Sequence, residues 1–143
     1  MISQTSEYAL RAVVCIGGGV GRPMTTRAIA KLTRVPQGYL SKVLQNLSKA
    51  GLVHSHRGVG GGFVLARALD DLTILDVINA VDPLKRITRC PLALLAHRKQ
   101  LCSLHKRLDE GIAQIEALFD GTTISELLAE ANPSQPLCEE VRG

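Results

Sequence analysis

The sequence predicts a mostly α fold with a small β-hairpin wing: a winged helix-turn-helix followed by a long C-terminal dimerisation helix. Three observations carry this expectation. Residues 25–51 read as two short amphipathic helices joined by a tight turn, with a polar outer face on the second. A glycine-rich run at 58–62 sits between two short apolar arms, as in a hairpin. Residues 104–119 repeat apolar side chains at close to heptad spacing.

At 143 residues the chain makes one compact domain, or one small domain plus a helical appendage. Apolar residues make up 45%, enough for a core, while aromatics are 3% and tryptophan is absent. Packing therefore falls to Leu, Ile, Val and Ala, which suits helices. No uninterrupted apolar run reaches the ~18 residues of a membrane span. The start, MISQTSEYALRAVVCIGGG, lacks a basic leader and is interrupted by Glu7 and Arg11. The expectation is a cytoplasmic protein with no membrane partner and reduced cysteines. Metal, cluster or burial then suit its four cysteines better than structural disulfides. Net charge is +4, but residues 1–70 carry nine Lys/Arg against two acids, and residues 71–143 eight against eleven. The basic half should meet a polyanion.

The elements follow in order. Residues 3–16 form a first helix on Tyr8, Leu10, Val13, Val14 and Ile16, and glycines at 17–19 end it. After a turn through Gly21, Arg22 and Pro23, TTRAIAKLTRV reads as a helix capped by Thr25 or Thr26. In VPQGYLSKVLQNLSKAG, Pro36 suits the first turn and Gly51 the position past the end. Leu40, Val43, Leu44 and Leu47 share one face, leaving Ser41, Lys42, Gln45, Asn46 and Lys49 outside. Residues 52–54 and 63–65 are the hairpin arms, and Thr73 caps ILDVINAV. Residues 83–100 show no clear period, though Leu92, Leu94, Leu95 and Ala96 read as packing residues. A long helix is expected from Leu101, with Leu101, Leu104, Leu108, Ile112, Ile115 and Phe119 as its dimerisation face. Gly111 weakens it by ~1 kcal/mol relative to alanine. Thr123 and Glu126 form a capping box that opens a last short helix. Residues 1–82 are thus expected to read, residues 83–129 to sense and dimerise, and residues 130–143 to form a flexible tail.

The helix-turn-helix with a wing is the strongest motif, and double-stranded DNA is its expected partner. Short polar side chains and Lys on the second helix suit the major groove, so Ser41, Lys42 and Gln45 are candidate base readers. Gln37 and Tyr39, near its N-terminus, suit phosphate or bases, and Arg27, Lys31 and Arg34 suit the backbone. In the wing, Arg57 precedes a slim tip that includes Gly60 and Gly61, a shape for a narrow minor groove. His54 and His56 read first as a surface pair, with His56 carried as a contact candidate beside Arg57. The glycine run lacks the Gly-Lys-Ser/Thr ending of a phosphate loop. No nucleophile–base set stands out, so an enzyme is not expected.

The series SEYALRAV, PQGYLSKVLQNLSKAGLV, HRGVGGGFVLAR and ILDVINAVD, then a Cys-bearing segment and a dimer helix, resembles the Rrf family of bacterial winged-helix regulators. That family includes iron–sulfur sensors of the IscR and NsrR type, and the similarity runs from about Ile2 to Leu128. The resemblance implies a homodimer on a partly palindromic operator, with an iron–sulfur cluster as cofactor. In such sensors three cysteines hold the cluster, the outer two twelve apart, with a histidine three later. Cys90, Cys102 and His105 match those positions, but Ala96 and His97 stand where the middle cysteine belongs. His97 or Glu7 would have to complete the set, since an acid at Glu7's place is a ligand in some relatives, reaching across the dimer. On one continuous helix, positions twelve apart would lie ~18 Å from each other, so Cys90 and Cys102 meet only if the segment bends back, with Pro91 helping it turn. A cluster, a Cys90–Cys102 thiol switch, and zinc or structural cysteines all remain open. Cys15 reads as a buried small hydrophobe and Cys138 as an incidental thiol of the tail. The alternative function is a winged-helix regulator controlled by a partner protein or small molecule, with no cluster.

Overall fold

The computed structural model describes residues 2–19 and 21–130. Its elements run α1 (Gln4–Gly18), α2 (Thr26–Thr33), α3 (Gln37–Lys49), β1 (Val53–His56), β2 (Gly62–Leu65), α4 (Ile74–Val81), α5 (Ser103–Asp120) and α6 (Ile124–Ala129), with a 3-10 turn at Leu95–His97. Apart from Glu130, the expected tail, with Cys138, lies outside the described residues.

α1 is the hub. Ser3 caps it, accepting from the Ser6 amide at 3.1 Å, and Ala9, Ala12, Val13 and Cys15 are wholly buried along its inner face. α2, α3, α4, α6 and β2 all pack on it. Thr25 caps α2, its hydroxyl accepting from Ala28 at 3.1 Å. α3 buries the expected stripe of Leu40, Val43, Leu44 and Leu47. Between α2 and α3 the chain turns at Arg34 (φ 58°), which lets Val35 drop into the core. A left-handed non-glycine residue carries a steric cost of roughly 1–2 kcal/mol. Arg34→Gly is therefore expected to stabilise the fold by about 1 kcal/mol in urea denaturation, after the extra freedom of glycine when unfolded. A loss of stability would mean that the guanidinium, rather than the turn, dominates there.

β1 and β2 pair antiparallel from Val53↔Leu65 to His56↔Gly62. Met24 adds a one-residue rung on the other edge of β2: its amide donates to the Phe63 carbonyl at 3.0 Å, and the Phe63 amide donates back at 2.7 Å. This ties the wing to the loop ahead of α2. Gly62 makes the approach feasible, since a Cβ there would overlap the Met24 backbone and its φ is 149°. α4 opens on a reciprocal capping box, Thr73 with Asp76.

α6 returns to the reader. Ile124 is wholly buried in the common core, the Ile124 amide donates to Leu72 at 2.8 Å, and that of Ser125 donates to Leu69 at 3.0 Å. α5, between these anchors, buries none of its residues.

Two expectations need correction. The long helix begins at Ser103, because Cys102 has the extended backbone of an N-cap (φ −66°, ψ 166°), so Leu101 lies outside it. Leu92, Leu94, Leu95 and Ala96 do not fill a core: all are exposed, on a stretch whose one regular element is the short 3-10 turn.

Candidate nucleic-acid interface and thiol segment

Burying the apolar stripe of α3 turns Gln37, Tyr39, Ser41, Lys42 and Gln45 outward, and all five are exposed. Arg27 and Lys31 are exposed on α2, and Arg34 is exposed in the turn. The structure thus brings the expected reading residues onto α3 and the adjoining α2 and turn. The Ser41 hydroxyl already donates to the Gln37 carbonyl at 3.0 Å, so it offers its lone pairs more readily than its proton.

Beneath this face lies a cluster that sequence reasoning missed. The Arg11 guanidinium donates to Glu7 at 3.0 Å and to the Thr33 carbonyl at 3.3 Å, and it lies 5.5 Å from the Tyr8 ring centroid. Tyr8 in turn sits 6.3 Å from Tyr39. Arg11 therefore joins the first turn of α1 to the end of α2 and neighbours the start of α3. Helical i,i+4 spacing signals the Glu7–Arg11 pair. Nothing local signals the Thr33 contact, 22 residues away.

In the wing, His54 and His56 sit edge to face at 5.0 Å on the exposed side of β1. Arg57 and Gly60 are exposed at the tip, and Gly61 is tucked against the His56 and Gly58 carbonyls with no room for a Cβ. Val59 stands fully exposed at the apex, a second residue that sequence reasoning missed. Its signal was an apolar residue inside a glycine run.

Two of the four cysteines, Cys90 and Cys102, lie beside histidine rings. Cys102, at the N-cap of α5, has its sulfur 3.2 Å from His105 Nδ1. Cys90 starts a tight turn closed by the Ala93 amide donating to its carbonyl at 3.0 Å, with Ala93 left-handed at φ 53°. The turn points the Leu94 amide at the Cys90 sulfur, and this, with the neighbouring His97 ring, lowers the thiol to about 7. Among the described residues no three of His, Cys, Asp and Glu gather as a metal site. Glu7 is held in its pair with Arg11.

A depressed thiol pKa means thiolate at lower pH, and the thiolate is the nucleophile. The rate of Cys90 alkylation by iodoacetamide, followed on its own peptide by mass spectrometry, should reach half its plateau near pH 7. His97→Ala should move that midpoint upward. An ordinary midpoint in the wild type would contradict the turn geometry.

A clamp joins this segment to α5. Arg86 makes a two-pronged contact with Asp109, both prongs at 2.7 Å, and the Ile87 amide adds a bond at 2.8 Å. Arg86 holds the Asp109 carboxyl down to about 2, so the pair stays charged through the neutral range. On the outer side of α5, Leu104, Leu108 and Leu118 are 63%, 50% and 65% exposed, an apolar seam with nothing over it in the single chain.

Comparison with known proteins adds the following. The family model of Rrf2, described as an iron-dependent transcriptional regulator, matches residues 2–130. A protein of Aquifex aeolicus described as an HTH-type transcriptional regulator is 34% identical over 133 residues, covering 90% of this chain and 91% of that one. An rrf2-like HTH-type regulator of Rhodobacter capsulatus is 30% identical, covering 98% and 100%. Among solved structures, CymR, the global cysteine regulator of B. subtilis, superposes with TM-score 0.74 at 25% identity, covering 89% of this chain and 95% of that chain. T. potens IscR superposes with TM-score 0.72 at 27% identity, covering 92% and 88%.

Proposed function

Since this chain belongs to the Rrf2 family of transcriptional regulators, we propose that it is a dimeric, sequence-specific DNA-binding protein whose operator affinity is set by Cys90 and Cys102. The family and the relatives are regulators rather than enzymes, in line with the missing catalytic set. No helix among the described residues is long and apolar enough to cross a membrane.

The observation that carries the DNA reading is the two-sided build of α3, with Leu40, Leu44 and Leu47 wholly buried and Gln37, Tyr39, Ser41, Lys42 and Gln45 exposed beside Arg27, Lys31 and Arg34. That face suits the major groove, and Arg57 with Val59 at the wing tip suits the minor groove. Two copies joined along Leu104, Leu108, Ile112, Ile115 and Phe119 of α5 would address two half-sites. Leu101, just ahead of the N-cap Cys102, would extend the same seam outside the helix.

The residues of one chain do not fit an iron–sulfur cluster. Ala96 occupies the middle position, Cys102 pairs with His105, and Cys90 turns toward His97. The sensing step is therefore assigned to the thiols. Oxidation by a peroxide or a disulfide joins Cys90 to Cys102, each losing a proton and one electron. The bond would draw the Cys90 turn toward the start of α5 and shift the population of head spacings.

The test is operator selection from a random duplex library, with protein purified without oxygen and iron measured on the same sample. A preferred duplex is expected, bound more weakly as salt rises. Gln45→Ala should cost ~1–3 kcal/mol and relax one base position. Arg57→Ala should reduce the salt slope by about one and should cost most on duplexes whose minor groove is narrow at the wing. Cys90→Ser with Cys102→Ser should abolish the response to oxidation. No preferred duplex would sink the DNA reading, and stoichiometric iron would sink the thiol assignment.

A further inference from the structure

The Cys90 turn lines a cleft of about 330 Å³. Its other walls include Arg89, His97, Arg98, Lys99 and Leu94, and no acidic residue is among them. Arg89, Arg98 and Lys99 are exposed, and none of them forms an ion pair among the described residues. His97 presents a buried Nδ1 with no hydrogen-bond partner. Three cations and a cysteine thus share one small concave site. The size suits a small molecule rather than a peptide, and the charge selects anions.

We infer that this cleft binds small anionic organic disulfides and presents their sulfur–sulfur bond to Cys90 for exchange. The inference rests on Cys90 being the sensing thiol proposed above, and it names what that thiol reacts with. Carboxylates of the ligand would face Arg89, Arg98 and Lys99. The Cys90 sulfur, as thiolate, attacks one sulfur of the ligand. The ligand's disulfide bond breaks and a mixed disulfide forms on Cys90. The other half leaves as a thiolate and is then protonated by solvent. The disulfide is itself the oxidant, so no further redox partner enters.

The test uses three disulfides of matched size and different charge: dithiodipropionate (anionic), hydroxyethyl disulfide (neutral) and cystamine (cationic). Each reacts with full-length Cys102→Ser, Cys138→Ser protein, in which Cys90 cannot divert to either of those thiols. Adduct formation is followed on the Cys90 peptide, and rates are divided by those of a short unstructured cysteine peptide. The normalised rate for dithiodipropionate should exceed that for cystamine about tenfold at low ionic strength, and the ratio should fall toward one as salt is added. Arg98→Glu with Lys99→Glu, both exposed positions, should invert the preference without affecting the fold. A ratio of one at low salt in the wild type overturns the inference.

Failure of the broader proposal reads differently. If charge selection holds but the Cys90 adduct binds operator unchanged, the cleft stands and thiol control of DNA binding falls. If oxidation changes operator binding in wild-type protein with no charge selection, thiol control stands and the cleft assignment falls.

Discussion

A Leu104→Glu, Leu108→Glu double variant is expected to bind operator ~100-fold more weakly than wild type, or worse, with its reading head still folded. Both side chains are at least half exposed on a helix that buries nothing, so new charges there do not reach the common core. The two positions are one turn apart and face the same way. Across a two-fold axis, four carboxylates would converge in an apolar seam, where like charges and lost burial oppose association. A single head on one half-site lacks the linked second contact that makes a dimer bind tightly. Sedimentation should report a monomer, circular dichroism an unchanged helix signal, and a gel-shift titration the affinity loss. A variant that stays dimeric, or a monomer that binds as well as wild type, would remove α5 from the proposed mechanism.

Gly62→Ala is expected to destabilise the fold by about 3 kcal/mol and to weaken DNA binding through the wing. Two costs add at this position. The backbone sits at φ 149°, a region L side chains rarely adopt, and the new methyl would overlap Met24 main-chain atoms. Relief requires breaking the Met24–Phe63 rung, which frees the hairpin from the loop ahead of α2. Gly60→Ala is the contrast: its φ is 75°, but no atom lies within 4 Å of the added carbon. It should cost only about 1 kcal/mol. Urea denaturation separates the two, and equal losses would show that steric overlap with Met24 plays no part.

The elements of this fold that sequence reasoning found share one property: their signals are local. Leu40, Val43, Leu44 and Leu47 lie on one face because the helix repeats every 3.6 residues, and Thr73 and Thr123 announce helix starts because their capping partners stand three residues on. The outward face of α3 follows from the same stripe, so its candidate readers were legible as well. What escaped was set by distance along the chain. Arg86 finds Asp109 across 23 residues and Arg11 finds the Thr33 carbonyl across 22, and a carbonyl carries no side-chain signature. The Met24 rung is a backbone pairing of one residue, invisible to any period. Residues 82–102 lack a period altogether, so their leucines suggested a core they do not join. Cys102 with His105 was visible at i,i+3, whereas Cys90 with His97 depends on Ala93 turning left-handed, which alanine does not advertise.

The return of α6 to the body has a mechanical consequence. α5 is not a free arm. At its near end the Arg86–Asp109 fork holds it, and past its far end Ile124 is pinned beneath Leu72. A beam fastened at both supports cannot swivel alone. On the thiol proposal, torque from the Cys102 end would pass into the head as a whole, tilting α3 and the hairpin together rather than bending a joint.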